Sequence, residues 1–230
     1  MSLRKTLLRL CVASLVALCF FLPATAQTEK KQACGILIDN TGSLRSQFDI
    51  VVDVSKGIIV RNYQRGPVSL FSFKNEGGIS RGTAVISSDF EWSQDKDDLE
   101  NSLDSMYIVP GQTALLDGIS RMAQELNTKT AEDKDGFAGK VIFLITDGED
   151  RSSKINEKDL IKLLKDSGIQ VFAVGLIHDL DGTGGFMSKT TKGKSASFLG
   201  RITKETGGRL VLAKTNKDDP QTLLSELFAK

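Results

Sequence analysis

The chain has 230 residues, 40% hydrophobic and 26% charged, with a formal net charge of +1. Nothing in that balance points to nucleic acid or an anionic membrane surface, both of which attract strongly basic chains. Arg4, Lys5 and Arg9 precede an uncharged apolar stretch from Leu10 to Leu22, then Pro23 and Ala24-Thr25-Ala26. This is the pattern of a secretory signal peptide cleaved near Ala26, and the stretch is short of the ~20 residues that a spanning helix needs. A leucine at 18 stands where a small residue would precede a lipidated Cys19.

The expected organisation is a removed segment 1–26, a short N-terminal segment 27–33 and one domain over 34–230, exported to the periplasm or beyond. Loss of the leader removes three basic side chains and tips the net charge slightly negative. Cys11 and Cys19 leave with it, so Cys34 is alone and no intramolecular disulfide forms. Cys34 reads as a small buried hydrophobe beside Gly35-Ile36-Leu37-Ile38.

Along the mature chain, strand-like and helix-like apolar periods alternate, which predicts an α/β fold: a doubly wound, mostly parallel sheet with helices on both faces. Cys34 to Ile38 is the first buried strand. Phe48, Val51, Val52, Val54, Ile58 and Ile59 form a helical stripe ended by Gly66-Pro67. Val68 to Phe73 is the second strand, and Gly77-Gly78 leads into a weaker run, Gly82 to Ile86, expected to pair antiparallel at an edge. Asp95 to Met106 starts acidic and reads as a helix. Leu115, Ile119, Met122, Ala123 and Leu126 mark the next.

Val141 to Ile145 is a strongly apolar strand. Leu160, Ile161, Leu163 and Leu164 belong to a helix stopped at Gly168, before a strand Val171 to Val174. A loop rich in Gly, Lys and Thr is expected from His178 to Lys194, followed by a helix Phe198 to Thr206, a strand Leu210 to Leu212 and a helix Leu223 to Phe228. Loops of that length are often functional, and 182–194 is expected to help choose a partner.

Three polar turns stand out: Asp39-Asn40-Thr41-Gly42-Ser43, Gly111-Gln112-Thr113, and Thr146-Asp147-Gly148-Glu149-Asp150. Small hydroxyl and carboxylate side chains after strands supply the hard oxygen ligands that divalent cations such as Mg²⁺ require. In open α/β sheets, ligands gather outside the carboxyl ends of the strands, where Asp39 and Asp147 fall. Asp39, Thr41 and Ser43 occupy alternate positions on a turn ascribed to Gly42. Any one of these turns alone reads as a turn that caps the next helix. The three together, in order and in strand context, read as a metal site.

The pattern Asp-x-Thr-x-Ser, then Gly-x-Thr-x-Leu-x-Asp from Gly111 to Asp117, then Thr-Asp-Gly from Thr146 to Gly148 resembles a von Willebrand factor type A domain. The stretches Leu37 to Arg45 and Gly111 to Asp117 are similar to the bacterial secreted members of that group. The resemblance implies a metal-ion-dependent adhesion site. In it, Thr41 and Ser43 bind Mg²⁺ or Mn²⁺ directly, Asp39 and Asp147 hold it through water, and Thr113 is a switchable ligand. It also implies that a protein partner supplies an acidic side chain to the open position on the ion. Thr41 and Leu44 stand where Ser and Met are commoner, with no change of chemistry.

Asp117 reads either as a polar residue facing its helix or as support for the site. Glu149, Asp150 and Arg151 read as solvated loop charges. His178 is expected to pack or hydrogen-bond locally, because no second His or Cys stands near it. Asp179 and Asp181 before Gly182 imitate the start of a calcium loop without its remaining ligands. Phe90 and Trp92 read as packing.

The expected function is a monomeric, non-enzymatic binding module. One alternative is a Mg²⁺-dependent hydrolase or phosphotransferase using Asp39, although Thr41 stands where such enzymes carry a second Asp. Another is a structural envelope protein whose ion only stabilises its loops.

Overall fold

The computed structural model describes residues 30–75, 83–86, 91–133, 136–180, 190–215 and 217–229. The leader 1–26 with Cys11 and Cys19, the turn Gly77-Gly78, Gly82, Phe90 and the stretch 181–189 lie outside them.

The described strands are β1 (Lys31–Ile38), β2 (Val68–Asn75), β3 (Thr83–Ile86), β4 (Gln112–Thr113), β5 (Phe137–Thr146), β6 (Ile169–Gly175) and β7 (Leu210–Leu212). They form one sheet in the order β4-β3-β2-β1-β5-β6-β7. All pairs are parallel except β2 with β3. The antiparallel partner is thus the expected one, with the two-residue β4 outside it. So short a strand leaves no apolar period to read in sequence. Lys31, Gln32 and Ala33 already belong to β1, so the first strand takes in the end of the segment 27–33 that the sequence set ahead of the domain.

The helices are α1 (Phe48–Asn62), α2 (Lys96–Asp104), α3 (Leu115–Ala131), α4 (Glu157–Asp166), α5 (Thr191–Glu205) and α6 (Pro220–Leu227), with a 3₁₀ turn Gly42–Gln47 leading into α1. Central parallel strands are buried on both faces, and alternate side chains of β1 accordingly enter two different cores. Ile36 and Ile38 pack with Val51, Val54 and Ile58 of α1, Leu103 of α2 and Leu224 of α6. Leu37 packs on the other side with Ile119 and Met122 of α3, Leu160 of α4 and Leu199 of α5. Cys34 is buried in the first core, and desolvation pushes its thiol far above the ordinary range, which keeps it unreactive. Trp92 is partly buried against the second core, in keeping with a packing role.

One boundary differs by a full two turns. The helix expected from Phe198 begins at Thr191, because the Thr190 hydroxyl accepts from the Gly193 N–H at 3.0 Å and so caps it. Gly193 and Gly200 weaken the helical signal in the sequence, but the face Phe198, Leu199 and Ile202 is buried and holds the helix in place. Residues 191–194 are therefore helical, which shortens the loop expected over 178–194.

Candidate metal centre

β1 and β5 are parallel neighbours with Ile38 opposite Ile145, so Asp39 and Asp147 leave the same edge of the sheet on adjacent strands. The Asp39 N–H still donates to the Ile145 carbonyl at 2.9 Å. Thr113 reaches the same edge on β4, tied inward by the Arg151 N–H, which donates to its carbonyl at 3.0 Å. The three polar turns meet in space.

Asp39 is completely buried. Its Oδ1 accepts from the Thr41 N–H at 3.1 Å and the Thr41 hydroxyl at 2.7 Å, and its Oδ2 accepts from the Thr146 hydroxyl at 2.7 Å. Thr113 Oγ1 donates to Thr41 Oγ1 at 2.9 Å, and Ser43 Oγ lies 3.4 Å from Thr41 Oγ1. The hydroxyls of Thr41, Ser43 and Thr113 therefore form a contiguous set, with Ser43 on its exposed side.

Asp147 completes the group differently. Its Oδ1 accepts from the Glu149 N–H at 2.9 Å, whereas its buried Oδ2 meets no hydrogen-bond donor among the described residues. Burial raises the Asp147 pKa to about 7; the Asp39 carboxylate adds to the rise, and the Ser43 hydroxyl and Glu149 N–H oppose it. Burial also raises the pKa of Asp39, against the hydrogen bonds from Thr146 and Thr41. Neither carboxylate forms an ion pair with a basic side chain among the described residues. Two buried like charges without a counter-charge make a strongly electronegative point.

The surrounding residues fix this arrangement. Asn40, 3% exposed, donates through Nδ2 to the carbonyls of Phe73 at 3.2 Å and Tyr107 at 2.8 Å, and its Oδ1 accepts from the Phe73 N–H at 2.8 Å. Its own carbonyl accepts from Val109 N–H at 2.8 Å. The first turn is thus clamped to β2 and to the segment that leads to Thr113. Thr146 accepts from the Gly148 N–H at 2.9 Å while donating to Asp39, joining the first and third turns. Gly148 has φ 75°, a left-handed conformation, and a Cβ there would press on Ser195 and Leu199 of α5 at 3.1 Å.

Asp117 resolves in favour of support: its carboxylate accepts from the N–H groups of Lys154 at 2.9 Å and Ile155 at 3.0 Å, pinning the third turn's loop to α3. Asp150 and Glu149 are not the solvated charges the sequence suggested. Asp150 Oδ1 accepts from the Leu116 N–H at 3.2 Å and the Ser153 hydroxyl at 2.5 Å. The Glu149 side chain is only 13% exposed and pairs with Arg151 at 2.8 Å.

Gly42 also has another role than the expected one. Its φ is not positive, and a Cβ there would meet nothing within 4 Å, so it leaves open space at the mouth of the site. His178 does not pack; it is exposed, with Nε2 3.9 Å from the Asp179 carboxylate. Asp179 accepts from the Ser46 hydroxyl at 2.8 Å. Asn40 and Thr146 were read in sequence only as members of the polar turns, without a role of their own. Each stands beside a site aspartate, and Thr146 also opens the Thr-Asp-Gly pattern.

Among the described residues, no three His, Cys, Asp or Glu side chains converge, so the donors are two carboxylates and hydroxyls. Oxygen donors of this kind suit a hard divalent cation, and Asp147 Oδ2 is a buried acceptor that such an ion would satisfy.

Residues 35–226 match the family model of the von Willebrand factor type A domain. A search of curated proteins finds no match. Among solved structures, the chain is similar to an aerotolerance-related membrane protein from Bacteroides fragilis NCTC 9343 with multiple mutations to serines. Identity there is 20%, coverage 86% of this chain and 98% of that one, and TM-score 0.57. For BatB, a conserved hypothetical protein from Bacteroides thetaiotaomicron, the values are 15% identity, 85% and 94% coverage, and TM-score 0.59. For the pilus adhesin SpaC from Lactobacillus rhamnosus GG, in its open conformation, they are 18%, 86% and 30%, and TM-score 0.61, so the chain spans 30% of that adhesin. At these identities the likeness is one of fold, and the fold agrees with the family match. The chain belongs to the von Willebrand factor type A domain family.

Proposed function

We propose that the protein is an exported binding module that engages a protein partner through a Mg²⁺ or Mn²⁺ ion held by Asp39, Thr41, Ser43, Thr113 and Asp147, the partner adding an acidic side chain. The observation that carries this reading is the buried, unpartnered Oδ2 of Asp147 beside a second buried carboxylate and three clustered hydroxyls. When bound, the ion supplies a positive centre that attracts a foreign carboxylate, since few protein charges neutralise it. Asp39 orients Thr41 through two hydrogen bonds, Thr146 fixes Asp39, and Gly42 keeps the approach clear.

The family is one of binding modules, and the site's own geometry argues against Asp39 as a nucleophile. It is fully buried, and both its oxygens are engaged in hydrogen bonds, an arrangement that holds a turn rather than attacks a substrate. Export rests on the leader's sequence pattern. No helix of the described residues is long and apolar enough to cross a membrane.

The test is calorimetric titration of the metal-stripped protein with Mg²⁺ and Mn²⁺, beside Thr41→Ala and Asp147→Asn variants whose folding is checked by circular dichroism. Saturable binding to the parent and its loss in both variants is the expected result. A parent that binds neither ion, or folded variants that bind as it does, would overturn the reading.

A further inference from the structure

Helix α3 starts two residues after Thr113, and its N-cap is Ala114, whose methyl group offers no acceptor to the free N–H groups of the first turn. The acceptors come from the third polar turn instead. The Leu116 N–H donates to Asp150 Oδ1 at 3.2 Å, and the Asp117 N–H donates to the Ser153 hydroxyl at 3.0 Å. Ser153 in turn donates to the same Asp150 oxygen at 2.5 Å. Leu116 and Asp117 hold the second and third helical positions, whose N–H groups a capping side chain ordinarily serves. Here the carboxylate that serves the first of them directly, and the second through Ser153, stands 34 residues after Leu116. Its charge suits the positive end of the helix.

The same short loop also grips the strand that precedes the helix. The Arg151 N–H donates to the Thr113 carbonyl at 3.0 Å, and the Ser152 hydroxyl donates to the Gln112 carbonyl at 3.4 Å. Backbone at Thr113 and on both sides of it is thus held by residues 150–153, while the Thr113 hydroxyl points to Thr41 Oγ1, to which it donates at 2.9 Å. Asp147 belongs to the same turn as Asp150. The second and third polar turns therefore form one unit, in which the place of Thr113 is set by the turn that carries Asp147.

Resting on the metal-bridged reading above, we infer that Asp150 is a positioning residue for the ion site: by capping α3 from the third turn, it fixes the Thr113 hydroxyl among the groups that hold the cation. A cap supplied by residue 114 would serve the helix equally well, but it would leave α3 and Thr113 free to shift against Asp147. A cap supplied by the third turn removes that freedom. Asp150 touches neither the hydroxyl set nor the site carboxylates through any bond described above, so its effect on the ion passes through Thr113. Residues that orient metal ligands in this way govern affinity without contacting the metal.

The test is a double-mutant cycle in which Mn²⁺ is titrated by calorimetry into the metal-stripped protein and its Asp150→Ala, Thr113→Val and doubly substituted variants. Asp150→Ala weakens Mn²⁺ binding about tenfold, and Asp150→Asn, which keeps the acceptor oxygen and drops the charge, rescues most of that loss. Thr113→Val weakens binding at least as far, and adding Asp150→Ala to it costs nothing more, because the two act as one. In the metal-free protein, Asp150→Ala also speeds amide exchange at Leu116 and Asp117. Should Asp150→Ala fail to fold, Ser153→Ala, which takes the acceptor from the Asp117 N–H and leaves the carboxylate, replaces it in the same cycle. An equal loss with and without the Thr113 hydroxyl, an Asp150→Asn variant as weak as Asp150→Ala, or a folded Asp150→Ala that binds as the parent does overturns this inference and leaves the metal-bridged reading standing. A parent that binds no Mn²⁺ overturns both.

Discussion

Asp39 and Asp147 leave adjacent strands at the same edge of the sheet, yet the protein treats them in opposite ways. Asp39 has both oxygens saturated by hydroxyl and amide donors from its own turn and from Thr146. Asp147 has one oxygen satisfied and the other, buried, without a donor among the described residues. The first carboxylate is a fastener within the fold. The second stabilises nothing through its inner oxygen, because a buried acceptor left unmade costs stability.

Removing the fastener should cost the most. Asp39→Ala leaves the Thr41 N–H and the Thr41 and Thr146 hydroxyls without their acceptor, and urea denaturation of the metal-free protein should show a loss of about 3 kcal/mol. Asn40→Ala breaks three hydrogen bonds of a neutral amide that clamps the same turn, and about 2 kcal/mol is expected by the same measurement. If Asn40→Ala proved the more damaging of the two, the clamp rather than Asp39 would be the fastener.

Asp147→Asn should act in the opposite direction. It removes a charge that burial and Asp39 both oppose, so the metal-free variant should be more stable than its parent near neutral pH by on the order of 1 kcal/mol, while Mn²⁺ affinity falls. The sign with pH follows from the raised pKa. The folded protein keeps a proton on Asp147 that the unfolded chain releases at the ordinary value of 3.8, so the parent loses stability as pH climbs from there toward about 7, and the loss is complete above that. The difference in Tm between Asp147→Asn and parent should therefore widen across that interval and then level off. Saturating Mn²⁺, which competes with the proton, should close it. A gap that stayed constant with pH would contradict the asymmetry between the two aspartates.

The smallest effect is expected at Asp117→Ala, which frees the loop at Lys154 and Ile155 without touching a site hydroxyl. About 1 kcal/mol should be lost, with faster amide exchange at those two residues.

What the sequence made legible follows the same division. The apolar runs predicted every strand of the sheet except the two-residue β4, and both sets of helices, because burial on two faces writes a continuous signal. The turns carrying Asp39, Thr41, Ser43, Thr113 and Asp147 were visible as small polar residues at strand ends, and the fold does bring them together. Their fasteners were not visible. The Asn40 clamp and the Thr146 bridge depend on which backbone carbonyls and carboxylates lie opposite, and that is a product of tertiary contact. Asp150 looked like a solvated charge because its acceptors' partners, Leu116 N–H and the Ser153 hydroxyl, come together only when the loop closes on α3. Gly42 was read as a conformational need, whereas its value lies in the empty space beyond it.

The Thr146–Asp39 hydrogen bond joins residues 107 apart in the chain, and Thr113 meets Thr41 across 72. Closing contacts of that span is slow and is complete only when the central strands have docked. No fragment and no half-folded chain can assemble the hydroxyl and carboxylate set. The set of hydroxyls and carboxylates is for that reason a certificate of completed folding: a chain still unfinished after synthesis does not yet present it, because its distant parts have not found one another.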